Sequence, residues 1–127
     1  MESHGDYKIN LTGNVIHIYP SGSFNQEGVK QLNDKVLLIA PQNSPWALLA
    51  HADESAGLTP EAVNEIINFF QQISKENCVV IGIAALPTWQ GVLEKSIKEN
   101  ADITIPVYLD ANLSKLDSLI KKIMDSA

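Results

Sequence analysis

The side chains with most scope for chemistry gather in one stretch, Trp46 to Pro60 (WALLAHADESAGLTP), where His51, Asp53, Glu54 and Ser55 stand close together. A histidine, a carboxylate and a hydroxyl are the parts of a nucleophilic triad. Triad members must converge on one point, and residues this close on an extended segment do not. The same residues invite a metal. His51 and Asp53, two apart, would share one face of a strand, but a metal needs three or four converging ligands. His17 is the other strand histidine, and nothing in the sequence brings it near. The plain reading of His51 is a strand-end histidine hydrogen-bonded to a neighbouring carboxylate. There is no G-x-S-x-G elbow, glycine-rich phosphate loop or H-E-x-x-H helix. No catalytic residue, metal or cofactor is assigned, and an enzyme is not expected.

These residues are positioned by the elements around them. Residues 7–11 (YKINL) and 15–19 (VIHIY) read as short strands around a turn at Thr12-Gly13-Asn14, hence a hairpin ended by Pro20. Asn25 caps a helix of about 15 residues in which Val29, Leu32, Val36 and Ile39 recur at helical spacing. Gly28 in its first turn leaves room for a backbone or ligand to approach, and Pro41 stops the helix. Trp46 to Ala52 is too short for a helix and suits a strand covered on both faces. Thr59 and Pro60 open a second helix with Val63, Ile66, Ile67, Phe70 and Ile73 inward. Cys78 to Ala84 is the clearest buried strand, and Gly82 within it implies close packing against a helix. Thr88 caps a third helix with Trp89, Val92, Leu93, Ser96 and Ile97 inward. Residues 104–109 form an edge or bulged strand, because Pro106 removes a ladder donor. Asp110 or Asn112 caps a last helix, with Leu113, Leu116, Ile120 and Ile123 inward.

This order predicts a single α/β domain over residues 1–127, with residues 1–6 a loose tail. After the N-terminal hairpin, helices and strands alternate. The result is a mixed, mostly parallel sheet of about five strands with four main helices and right-handed crossovers. In such sheets ligands bind outside the carboxyl ends of the strands. Four loops meet there: 21–25, 53–59, 86–89 and 110–112. Each leads into a helix N-terminus with free N–H groups, suited to an anion or a phosphorylated hydroxyl. The competing reading is that Asn25, Thr59, Thr88 and Asn112 are caps, each contributing about 1 kcal/mol. The candidate binding or regulatory residues are Ser23, Asn25, Asp53, Ser55, Gly57, Thr59, Thr88 and Trp89. Phe24 and Trp89 flank this edge, whereas Trp46, at the start of its strand, belongs near the opposite one.

Composition narrows the partners. The formal charge is −6, every cation is a lysine, and there is no arginine. Arginine is the usual reader of phosphates and guanine edges, so nucleic acid is not expected as a partner. The N-terminus lacks the basic-then-apolar build of a signal peptide, and no apolar run reaches the length of a membrane span. A cytoplasmic protein without integral membrane association is expected. The single cysteine, Cys78, opens an apolar run and reads as a core residue, with no disulfide available to it.

The element order from Tyr7 to Met124 resembles the SpoIIAA-like superfamily. That superfamily includes STAS domains (anti-sigma-factor antagonists) and small bacterial relatives, some of them Sec14-like. STAS phosphoproteins carry a D-S-S-G-L-G signature with a phosphorylated serine at the start of the second helix. The nearest string here is Asp53-Glu54-Ser55-Ala56-Gly57-Leu58-Thr59, in which Ser55 matches by residue type and Thr59 by position. The resemblance implies a non-enzymatic interaction or regulatory module, modulated at Ser55 or Thr59, with a protein partner that is unknown. It also leaves open a homodimer through an apolar helix face. The alternative it implies is a Sec14-like carrier of a small apolar ligand, held between helices and sheet.

Overall fold

Gly13 adopts φ +61°, the backbone that lets the chain reverse within two residues, and a hairpin forms around it. The computed structural model describes residues 2–100 and 102–126. Strands β1 (Asp6–Thr12) and β2 (Val15–Ser21) pair antiparallel from Asp6↔Ser21 to Thr12↔Val15. There follow β3 (Ser23–Phe24), α1 (Gln26–Ile39), β4 (Trp46–His51), β5 (Gly57–Leu58), α2 (Pro60–Ile73) and β6 (Cys78–Ala84). The chain closes with α3 (Pro87–Lys98), β7 (Val107–Asp110) and α4 (Leu113–Asp125). The main sheet has the order β1-β2-β4-β6-β7, parallel except for β1. The mixed α/β expectation holds, with five strands in the main sheet and four helices among the described residues.

Because successive parallel strands step in one direction across the sheet, right-handed crossovers carry α1, α2 and α3 to the same face. The larger core lies there. Ile16, Ile18, Leu48 and Ile81 from the sheet meet Val29, Val36, Phe70 and Leu93 from the helices. Helix α4 crosses to the other face and covers β4, β6 and β7 through Leu116, Ile120 and Met124. Burial from both sides explains why β4 and β6 are continuous apolar runs. Gly82 accommodates α4: an added Cβ would stand 2.7 Å from Ile120 Cδ1.

The structure corrects several boundaries. Pro20 does not end β2, which runs on to Ser21. Ladder pairing with β4 has ended at Ile18, so β1 is the strand paired at the proline, whose carbonyl accepts the Asp53 N–H at 3.5 Å on the other side. Strand β7 begins after Pro106 instead of spanning it, and the Pro106 carbonyl accepts the Ile81 N–H at 3.0 Å. Val92 and Leu113, expected inward, are 40% and 38% exposed, while Phe69 and Met124 are buried instead. Residues 2–5, expected to be loose, lie against the start of α1. The His4 N–H donates to Asn25 Oδ1 at 2.9 Å, and Asn25 Nδ2 donates to the Glu2 carbonyl at 2.8 Å. Gly28 makes room for this contact, since a Cβ there would collide with the His4 carbonyl. The first residue of the expected tail, Met1, lies outside the described residues.

Candidate functional site

Strands β3 and β5 are only two residues each, yet they decide the shape of the edge where the parallel strands end. They pair parallel, Ser23↔Gly57 and Phe24↔Leu58, and so clasp the loop after β2 to the loop after β4. Gly57 N–H donates to the Gly22 carbonyl and Thr59 N–H to the Phe24 carbonyl, both at 3.0 Å. Ser55 is the pin. Its Oγ accepts the Gly22 N–H at 2.9 Å and donates to Asp53 Oδ1 at 2.6 Å. Asp53 Oδ1 also accepts the Ser55 N–H at 2.8 Å. The Ser55 side chain and then its backbone N–H hold the exposed Asp53 carboxyl below its usual range.

Six of the eight candidate residues, Ser23, Asn25, Asp53, Ser55, Gly57 and Thr59, belong to this clasp or border it. Asn25 and Thr59 cap α1 and α2 by accepting the Gly28 and Ala62 N–H groups. Asn25 is committed further, to Glu2 and His4. Thr88 is not a cap. Leu86 takes the N-cap position of α3 with no side-chain hydrogen bond, and Pro87 fills the first helical turn. The residue before a proline is driven to extended backbone, so the helix can start only after Leu86. Asn112, not Asp110, caps α4 by accepting the Lys115 N–H. Asp110 instead accepts the Asn112 N–H and pairs with Lys115 at 3.5 Å.

Behind the clasp, between the sheet and α1–α3, lies a cavity of about 100 Å³. Its walls are almost wholly apolar: Ile18, Ala50 and Ile83 from the strands face Leu32, Ile66 and Phe70 from the helices. Phe24, buried to 2% exposure, forms one wall of this space. From the strand-end loops and the start of α3, Asp53, Gly57, Leu86 and Trp89 also line it, Asp53 and Leu86 being exposed. Trp89 is half-buried, and an added Cβ on Gly57 would sit 3.6 Å from its Cζ2. Residue types and helical spacing show core positions but not how much space they leave unfilled, so the cavity has no signal in the sequence.

The other face holds a pair that sequence reasoning missed. The expected bond from His51 to a neighbouring carboxylate does not form, because His51 turns to His17 on the α4 side of the sheet while Asp53 lies with Ser55 at the clasp. His51 Nε2 meets His17 Nδ1 at 2.9 Å, and Tyr19 stacks on His51 with centroids 4.3 Å apart. The parallel register explains this: His17 pairs with Leu49, which puts it one step from His51 on the same face of adjacent strands. Asp117 and Lys121 of α4, paired at 3.1 Å, are the nearby charges. Among the described residues no group of three or more His, Cys, Asp and Glu side chains is arranged to hold a metal.

Burial lowers both histidine pKa values. For His51 the charge of His17 adds to this, while Asp117 opposes it for both and Lys121 assists at His17. The hydrogen bond needs one N–H and one lone pair, so a doubly protonated pair cannot keep it. The unfolded chain titrates near the ordinary value of about 6.5 and binds more protons than the folded one below it. The pair's contribution is therefore complete above about pH 6.5 and is lost as pH falls below it. One proton taken up on unfolding corresponds to about 1.4 kcal/mol per pH unit, and solvent at these half-exposed rings keeps the slope under that. Urea midpoints at pH 7.5, 6.5 and 5.5 should fall with pH in the native chain. They should fall less in His17→Gln/His51→Gln; equal slopes would remove the pair as the cause.

Among the described residues no helix is long and apolar enough to cross a membrane. No protein-family model and no curated protein matches this chain. Among solved structures it is similar to the crystal structure of an uncharacterized DUF3478-family protein from Shewanella loihica PV-4, described as having a SpoIIAA-like fold. The superposition covers 94% of this chain and 96% of that one, with a TM-score of 0.61 at 9% sequence identity. The chain thus has a SpoIIAA-like fold.

Proposed function

We propose that this chain is a non-enzymatic binding domain that holds the apolar part of a small ligand between its sheet and helices α1–α3. The observation that carries this reading is the cavity of about 100 Å³, walled by apolar side chains and bordered by Trp89 at the strand ends where α/β sheets take ligands. Apolar cavities of this order stay dry and accept benzene-sized molecules. A few polar groups at the border of an apolar pocket are what small-molecule sites generally use. The reading is favoured over a phosphorylation switch because both hydroxyls are already engaged. Ser55 Oγ donates to a carboxylate, and Thr59 Oγ1 caps α2. A phosphate on Ser55 would put about −1.5 to −2 charges beside Asp53.

Filling the cavity tests the proposal. Ala50 is buried and projects from β4 into this space. In Ala50→Leu the added carbons occupy the void, so the chain keeps its circular dichroism and loses its ligand space. Toluene at ten times its dissociation constant should stabilise the native chain by about 1.4 kcal/mol and leave a folded Ala50→Leu unshifted. No toluene response in the native chain, or an equal response in both, counts against the pocket.

A further inference from the structure

The cavity's border has a sign. Of the charged side chains in the chain, Asp53 alone lines the cavity, and Asn33 is the other polar side chain with a long reach there. None of the nine cations is among the lining residues, and arginine is absent altogether. Asp53 Oδ1 accepts both hydrogen bonds from Ser55, and the Asp53 side chain is exposed. The carboxylate remains ionised at neutral pH, since the Ser55 hydrogen bonds favour its charged form. Trp89 lines the same cavity, with its Cζ2 3.6 Å from a Cβ built on Gly57, and an indole π face attracts cations. Leu86, 48% exposed, completes an apolar lip.

From this juxtaposition we propose that the ligand is a small organic cation, an ammonium group on a benzene-sized apolar body. The body enters the cavity, and the ammonium stays at the border, with the Asp53 carboxylate and the Trp89 ring. This rests on the pocket reading above and adds the charge of the occupant. An apolar body alone gives no preference among head groups. A fatty acid or other anion would meet the Asp53 carboxylate with no cation to offset it. In a water-like surround at contact distance a carboxylate raises the affinity of a cation about fivefold and lowers that of an anion as much. Between a cation and an anion of equal shape this amounts to at least a tenfold ratio in affinity, reduced by salt.

Benzylammonium, benzyl alcohol and benzoate are near-equal in shape and differ in charge. Titrations are followed by the Trp89 indole N–H resonance of the full chain at pH 7 and low salt. Benzyl alcohol should bind, benzylammonium should bind more tightly, and benzoate should be weaker than benzylammonium by about tenfold. In Asp53→Asn, where Oδ1 can still accept from Ser55, the ratio should collapse to near one. In Glu54→Gln, which carries the same loss of charge one residue away and outside the lining, it should persist. If all three probes bind equally to the native chain, or the ratio survives in Asp53→Asn, the cation assignment is overturned and the pocket stands. If none of the three binds, the pocket reading falls and this one with it.

Discussion

Replacing Ile120 with alanine should lower the unfolding free energy by about 3 kcal/mol, within the range of about 2–5 for such truncations in a core. Among the described residues α4 is the only helix on its face of the sheet, and its core is small: Leu116, Ile120 and Met124 against Ala47, Leu49, Val80 and Ala84. Ile120 is the most buried of the three helical residues, at 1% exposure. Its Cδ1 rests where a Gly82 side chain would be, on the backbone of the interior strand β6. A rigid strand cannot close the gap that alanine leaves, so the cavity cost is expected in full. A domain stable by about 5–15 kcal/mol would lose a large share of that margin. The loss should appear first as faster amide exchange along α4, while β4 and β6 stay protected by the larger core. Gly82→Ala attacks the same contact from the sheet side, and Ile120→Val removes the Cδ1 atom it would strike. Urea unfolding of both single variants and the double should give a smaller loss than the sum. An additive result would mean that α4 does not sit on Gly82.

Much of this packing was legible in the sequence. Gly82 inside an apolar run announces a close helix; Gly28 announces room for a backbone or a ligand, and the His4 carbonyl takes it. Asn25 and Thr59 announced two helix starts, because a side-chain acceptor three residues ahead of an N–H is a local signal. Thr88 misled for the same local reason. The proline beside it, which forces Leu86 to extended backbone, was the stronger constraint. What the sequence could not carry were properties of register. His17 and His51 are 34 positions apart, and their contact depends on which strands are neighbours and how far they are slid. The β3–β5 clasp is two pairs long, below the length at which alternation can be read. The Trp46–Pro60 stretch is therefore divided between two faces. His51 joins the half-open sheet surface over β2, while Asp53 and Ser55 secure the edge of the apolar cavity.

The ring of Phe24 ties that edge together, and Phe24→Ala should cost about 3–5 kcal/mol. Phe24 is 2% exposed in a strand of two residues, and so short a pair contributes little by its own hydrogen bonds. The ring contributes more. Gly5 is pressed onto it, with room for no side chain: a Cβ there would lie 2.5 Å from Phe24 Cδ2 and Cγ. The ring therefore holds the N-terminal segment from one side and walls the cavity from the other. Its removal joins a phenyl-sized void to the existing space of about 100 Å³. The enlarged void is apolar and stays dry, so it is open to an apolar guest. Toluene should return part of the lost stability to Phe24→Ala and raise its melting temperature more than that of the native chain. Phe24→Leu keeps most of the apolar volume and should cost less than half as much. A loss under about 1 kcal/mol in Phe24→Ala, the level of a surface change, would mean that the clasp and the N-terminal segment do not close over this ring. Recovery by toluene that is no greater than in the native chain would separate the ring's space from the cavity.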